Sequence, residues 1–490
     1  GLMPLILPGN VASATASTGY TVDNSCRFNP PDAPYFDKTP SASGNQRTFT
    51  FSVWLKMDIH ASGATHKVFE AGASTDYFSF YFTSTHFLVV KGRVSSANVL
   101  ELITTQLFRD PTAWFHLYIA VDTTQGTDSN RCKVYINGTQ VTDFGTETYP
   151  DQNTDFLVND TSEPFEIGVN QHHGSDEHFD GYMAEYMYVD GAAQDIGDFG
   201  EFDGDSPTIW KPIDISGIAV NPDGASGFYL DFKDSSNLGN DAAGGTDFTA
   251  NNIDATDQAT DTPTNNFATL NPLWRSGFDN DGTYSEGNCQ RSFTSANADR
   301  GYGFSTMGVT SGKWYWEIKV PTVARAATGV GDATAMAGFT QVFYDETTSK
   351  GMQVGTSGSI NENNTSTAYA SSLSDDDIIM YALDMDNHRC WYGINGSWED
   401  SGDPTSGATG TGDMTTEISD QTHINTGEFI FPFVFDASTS GQADFQMNFG
   451  GCPAFTVSSG NADADGYGNF EYAVPSGFYA LCTKNLAEYG

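Results

Sequence analysis

Residues 378–396 read Ile378-Ile379-Met380-Tyr381-Ala382-Leu383-Asp384, then Met385-Asp386-Asn387-His388, then Arg389-Cys390-Trp391-Tyr392-Gly393-Ile394-Asn395-Gly396. An apolar run stops at acidic and amide residues, reverses, and resumes as a second apolar run that ends in Asn-Gly. Asn and Gly best tolerate the positive φ angles of a two-residue type I′ turn, so the stretch predicts a β-meander. The same grammar occurs earlier. Trp114-Phe115-His116-Leu117-Tyr118-Ile119-Ala120-Val121-Asp122 leads through a polar loop into Arg131-Cys132-Lys133-Val134-Tyr135-Ile136-Asn137-Gly138. In both copies one strand ends in Asp and an Arg-Cys strand ends in Ile-Asn-Gly. That points to two sandwiches of related design in one polypeptide.

The composition agrees. A chain of 490 residues has room for two to four domains, each with its own core. Long segments of helical period are absent, apart from room for a few helical turns around Ala192 to Phe199. Short runs rich in Phe, Tyr, Trp, Val and Ile alternate with Gly, Asn, Asp, Ser and Thr, the pattern of an all-β protein. The formal net charge is −42. A field of that sign repels nucleic acid and anionic membranes, which excludes both as partners, and it favours solubility in a saline medium. No apolar run approaches a membrane-spanning length. No cofactor is expected; Ca²⁺ is the one ion the Asp clusters suit, although no stretch has the Asp spacing of a helix–loop–helix site. The six cysteines form no Cys-x-x-Cys pair, which argues against zinc, and Cys132 and Cys390 alternate in phase with core-facing neighbours.

Taken in order, residues 1–25 read as an N-terminal arm of small residues. Its apolar start, Leu2 to Gly9, is short and broken by Pro4 and Pro8, unlike a secretory leader. A first sandwich is expected over 26–235. Thr48 to Met57 alternates with period 2, and Tyr77–Phe82, Phe87–Val90, Phe165–Val169, Gly181–Gly191 and Gly227–Phe232 supply further strands. A polar connector is expected over 236–288, a second sandwich over 289–482 and a tail over 483–490. In the second, Trp314, Trp316, Ile318 and Val320 share one face of a strand, and Tyr315, Glu317 and Lys319 the other.

Several of these pieces carry resemblances. Phe51-Ser52-Val53-Trp54-Leu55-Lys56, the strand ending at Asp122, the Val134-to-Gly138 hairpin and Phe179-Asp180-Gly181-Tyr182-Met183-Ala184-Glu185 resemble the laminin-G-like, concanavalin-like family over residues 20–235. Gly312-Lys313-Trp314-Tyr315-Trp316-Glu317, Ala337-Gly338-Phe339, the Asp377–Asp384 strand with its Asn395-Gly396 turn, Phe429-Ile430-Phe431-Pro432 and Met447-Asn448-Phe449-Gly450 resemble a SPRY domain. The fold class implied is all-β, with two jelly-roll-type antiparallel β-sandwiches in tandem. The tandem, with its Asp261-Thr262-Pro263-Thr264-Asn265 connector, resembles structural proteins of tailed bacteriophages, notably marine ones. That resemblance implies a virion appendage, of tail or head fibre type, which reaches the outside by lysis and sits on the virion surface.

Catalysis finds little support. Concanavalin-like glycosidases need two carboxylates across a cleft. Asp384 and Asp386 have even spacing but lie where a hairpin reverses, and Pro164 separates Glu163 from Glu166. No catalytic residue is assigned. His172, His173 and Asp176, beside Glu177 and His178, form the most ligand-like cluster. Adjacent histidines point to opposite sides of a strand, so the cluster reads as a polar rim loop able to touch a ligand rather than a metal site. Trp391 and Trp398 are the aromatic candidates for stacking on a sugar. The expected function is non-catalytic binding of a host-surface molecule, glycan foremost or else protein. Expected partners are other virion proteins and further copies of the chain, a trimer foremost. The rival readings are a purely structural capsid-decoration or fibre role and a secreted bacterial lectin or adhesin.

Overall fold

The computed structural model describes residues 19–58, 64–73, 75–171, 177–274, 282–293, 301–323, 326–332, 351–362, 365–415, 424, 429–436 and 443–490. The chain forms two compact units, one over Thr18–Thr264 and one over Asn265–Gly490. Both are built from antiparallel strand pairs, as the alternating sequence demands, apart from one short parallel pairing of Tyr479 and Ala480 beside Trp314 and Tyr315 in the second unit.

In the first unit the strands are β1 (Ser25–Phe28), β2 (Tyr35–Lys38), β3 (Thr48–Met57), β4 (His66–Gly72), β5 (Tyr77–Phe82), β6 (Phe87–Val94), β7 (Ala97–Leu107), β8 (Phe115–Asp122) and β9 (Cys132–Ile136). They continue as β10 (Thr139–Gln140), β11 (Phe144–Thr148), β12 (Phe165–Ile167), β13 (Gly181–Asp190), β14 (Gly200–Phe202), β15 (Trp210–Pro212), β16 (Phe228–Leu230), β17 (Thr249–Asn251) and β18 (Gln258–Ala259). One sheet runs β10-β9-β8-β3-β13-β1-β18, with β16 also on β13; the other runs β11-β7-β6-β5-β4-β12-β2-β17. Phe49, Phe51, Val53 and Leu55 of β3 meet Phe69, Phe78 and Phe80 of the facing sheet in one buried core. Burying such rings is worth about 1.5–3 kcal/mol each.

The second unit holds β19 (Gly282–Ser285), β20 (Gln290–Phe293), β21 (Gly301–Phe304), β22 (Lys313–Thr322), β23 (Ala326–Asp332), β24 (Gly351–Gly355), β25 (Ser359–Glu362), β26 (Thr365–Ala368), β27 (Asp377–Asp384), β28 (Arg389–Ile394), β29 (Ser397–Trp398), β30 (Ile430–Asp436), β31 (Asp444–Asn448) and β32 (Tyr479–Ala480). Its sheets run β19-β20-β31-β22-β27-β28-β29 and β21-β30-β23-β24-β25-β26. Trp314, Trp316, Ile318 and Val320 enter the core between them, as their period predicts.

The meander is present in both units. Leu383 pairs with Cys390 and Val121 with Cys132. Asn137 and Gly138 take φ of 47° and 73°, and Asn395 and Gly396 take 49° and 83°, the positive values a type I′ turn requires. All six cysteines are buried.

Three expectations change. Residues 236–288 do more than connect: β17 extends the second sheet beside β2, β18 pairs with β1, and β19 begins the second unit. The composition of this stretch is polar, but Leu238, Phe248, Ile253 and Ala259 are buried anchors between turns. Asp261 also closes an internal ion pair with Lys56 at 2.7 Å and accepts the Trp114 indole N–H at 2.8 Å. Residues 483–490 are not a loose tail. Thr483–Tyr489 is a helix whose Leu486 is buried and whose Asn485 donates to Asp463 at 2.8 Å. Of the expected arm, residues 1–18 lie outside the described residues, and Val22 is buried against Trp54 and Ala184.

Candidate functional site

One rim of the first unit is shaped by turns rather than strands. Asn29 leads into the turn Pro30–Asp32, and Ala33 follows at φ 54° with its N–H donated to Pro30 O. This sharp reversal delivers Tyr35 to the start of β2, where it pairs in register with Asn251 at the end of β17. The two edge strands and the turn enclose a cleft of about 600 Å³ lined by Pro30, Ala33, Tyr35, Gln171, His178, Ala250, Asn251 and Asn252. That volume lies within the ordinary range of small-molecule sites.

Asn251, Asn252 and His178 are braced by their neighbours. Asn251 donates its amide hydrogens to Asp37 Oδ1 at 2.6 Å and Thr249 O at 3.3 Å, which leaves its own Oδ1 as an acceptor. Asn252 donates to Ala33 O at 3.2 Å. His178 is buried, with Nδ1 3.3 Å from Pro34 O. Gln171 and Asn252 are exposed, and Tyr35 is half-buried. The arrangement offers one aromatic ring and the anchored amides of Asn251 and Asn252, with the exposed amide of Gln171 beside them.

Sequence reasoning reached this rim only in part. His172, His173 and Asp176 lie outside the described residues, and Gln171 and His178, which flank that loop, line the cleft. Glu177 is engaged by Asn170 Nδ2 at 3.1 Å and lies 3.9 Å from Lys67 Nζ. Tyr35, Asn251 and Asn252 were missed. The usable signals were the Pro-rich run before Tyr35 and the Asn pair after a short strand.

The two tryptophans lie elsewhere. Trp391 is fully buried, donates its indole N–H to Thr411 O at 2.9 Å and packs edge-on to Phe478, so it presents no face to a sugar. Its face of the sheet is covered by the segment carrying Phe470 and Phe478. Trp398 is half-buried against the same cluster.

Other chemistry-like groups are accounted for by structure. Asp384 accepts from Asn387 N at 2.9 Å and pairs with Lys313 at 2.8 Å, and Asp386 accepts from Gly312 N at 2.8 Å. Ser52 and His116 are 2.8 Å apart, but Trp210 donates its indole N–H to His116 Nδ1 at 3.0 Å. Indole is only a donor, so neutral His116 carries its proton on Nε2 and gives it to Ser52 Oγ, the reverse of a base that activates serine. Many Asp carboxylates close turns: Asp110, Asp160, Asp214, Asp234, Asp254 and Asp403 each accept from both the amide and the hydroxyl of the Ser or Thr two residues on. Among the described residues no group of three His, Cys, Asp or Glu side chains is placed to hold a metal ion.

Comparison with known proteins sets this geometry in context. No curated protein matches the chain. Among solved structures, the SPRY domain of human HERC1 is similar at 20% identity and a TM-score of 0.25, over 32% of this chain and 86% of that one. A putative carbohydrate-binding protein from Bacteroides ovatus is similar at 17% identity and a TM-score of 0.32, over 48% of this chain and 59% of that one. A heptameric pentraxin from Limulus polyphemus is similar at 18% identity and a TM-score of 0.27, over 35% and 78%. The family model described as the concanavalin A-like lectin/glucanases superfamily matches residues 35–195. The first unit therefore contains a laminin-G-like domain of concanavalin A-like type.

Proposed function

We propose that the first unit binds glycan in the cleft of Tyr35, Gln171, Asn251 and Asn252, without catalysis. The observation that carries this reading is the placement of one aromatic ring among braced amides in a cleft of about 600 Å³. An aromatic face packs on the C–H face of a pyranose, and amides supply paired donors and acceptors for its hydroxyls. The net charge of −42 disfavours sulfated and uronic sugars, so the ligand is a neutral glycan. The sequence resemblance to tailed-phage proteins extends the reading: a virion-surface appendage, joined to other virion proteins, that recognises a host-surface glycan. Copies held together, as a trimer foremost, would turn a weak site into firm attachment by avidity. A capsid-decoration role without a ligand is the competing reading.

The test is binding of the intact chain to an array of neutral and anionic glycans, at low and at marine salt. Neutral glycans are expected to bind, and Gln171→Ala to weaken them by about 2–10-fold, the worth of one hydrogen bond. Absence of binding to every glycan, or affinity unchanged in both Gln171→Ala and Tyr35→Ala, would overturn the assignment. Light scattering reads the copy number independently.

A further inference from the structure

Strand β13 changes its neighbour halfway along, and one carboxyl is buried at the change. Gly181–Met183 pairs with β1, Tyr186–Tyr188 pairs with β16, and the register on β3 slips between Ala184 and Met187. Glu185 lies in that slip at φ 50°, a left-handed conformation that a non-glycine residue holds only when its surroundings impose it. Its exposure is 2%. Oε2 accepts the hydroxyls of Tyr229 at 2.7 Å and Tyr20 at 3.2 Å, and Oε1 is buried with no hydrogen-bond partner among the described residues. Ionisation here would place a charge on a carboxylate with one oxygen unsolvated, which is far more costly than burying the neutral acid.

The two tyrosines are held very differently. Tyr229 is buried in β16, opposite Met187, and its amide is fixed by Asp241 at 3.0 Å. Tyr20 precedes the first strand and is half-buried. Its segment is otherwise held by Val22, whose amide donates to Thr264 Oγ1 at 3.1 Å and whose side chain rests on Trp54 and Ala184. The exposed Lys233–Asp23 contact at 3.8 Å adds almost nothing.

We infer that Tyr20, Glu185 and Tyr229 form a proton-controlled clasp. While Glu185 keeps its proton, residues 19–24 stay docked on the outer face of the sheet; once it ionises, water reaches the carboxylate and the Tyr20 segment leaves. Burial pushes the Glu185 carboxyl up to about 7, against the lowering effect of Tyr229, Tyr20 and Lys233, and Asp231 adds to the rise. Asp214 is the further charge that acts on Tyr20. Undocking would let water reach the carboxylate and draw Glu185 back towards its ordinary value of 4.5. The docked form then binds the proton more tightly, so docking is firmest below 4.5, weakens by up to about tenfold per pH unit as pH rises, and levels off above about 7.

Hydrogen exchange at the Val22 amide, corrected for the intrinsic pH dependence, reads the docking directly. In the intact chain its protection is expected to fall across this window. In Glu185→Gln, which keeps an acceptor for the tyrosines but cannot ionise, protection is expected to stay level. Tyr20→Phe is expected to lower it at every pH. Level protection in the unmodified chain, or a slope that survives in Glu185→Gln, overturns the clasp. Should Glu185→Gln fail to fold, carbon-13 NMR of the glutamate carboxyls decides. One glutamate titrating near 7 and shifted in Tyr20→Phe supports the clasp, and titration of every glutamate below about 5 overturns it.

Discussion

Asn395 closes the second meander by reaching back to Ile378: its side-chain Oδ1 accepts the Ile378 backbone N–H at 2.9 Å and its own backbone N–H donates to Ile378 O at 2.8 Å. Asn137 does the same to His116 in the first unit, at 2.8 and 3.0 Å. The turn residue is thus stitched to the start of the strand two segments earlier. Asn395→Ala is expected to lose that bond and the 2.7 Å bond to Asp377 and to strain the positive φ, lowering stability by about 1–3 kcal/mol in urea denaturation. Gly396→Ala is expected to cost a similar amount, since its φ is 83° and a Cβ would lie 2.9 Å from the Tyr472 ring.

His116 is stacked on Trp54 at 5.0 Å and on Trp210 at 6.1 Å, and burial pushes its pKa down to about 3. The unfolded chain takes up this proton near the ordinary value of 6.5 and the folded chain does not. The contribution of His116 to stability is therefore full above 6.5 and is lost as pH falls towards 3, by up to about 1.4 kcal/mol per pH unit. His116→Gln is expected to flatten that part of the pH profile, measured as urea midpoints from pH 7 to 4.

Glu317 is fully buried and accepts four bonds: Tyr315 hydroxyl at 2.9 Å, Asn448 Nδ2 at 3.0 Å, Glu471 N at 2.9 Å and Tyr472 N at 2.8 Å. Glu317→Ala would strand those donors in the interior. A loss of about 3 kcal/mol or more is expected, read by thermal unfolding, together with earlier proteolysis around Tyr472.

Trp391 and Gln171 should respond in opposite ways. Trp391→Ala removes a buried ring and is expected to lower stability by about 3–5 kcal/mol while folded protein keeps its glycan affinity. Gln171→Ala is exposed and is expected to change affinity with stability within about 0.5 kcal/mol. Melting curves and binding isotherms on the same samples separate the two.

Much of the architecture was legible because it is local. Period-2 alternation placed Trp314, Trp316, Ile318 and Val320 in a core, and Asn-Gly fixed both turns. Alternation says which residues share a face, not what lies over it. Tyr315, Glu317 and Trp391 share the outer face of their sheet, and an irregular segment without any period covers it. The cleft was harder to see. Tyr35 and Asn251 meet only because β2 and β17 pair across more than two hundred residues, and nothing in either stretch encodes that register.

The pairing of β32 with β22 has a consequence for synthesis. Ala480 lies beside Tyr315, and Phe267 bridges to Cys482, so the opening and closing segments of the second unit need each other. The first unit has all its strands once Thr264 is made. At ribosomal rates the stretch between Thr322, where β22 ends, and Tyr479, where β32 begins, takes on the order of eight to thirty seconds to appear. Through that interval the strand bearing Trp314 and Trp316 waits for its last neighbour, and it is the stretch a chaperone would find exposed while the first unit is already closed.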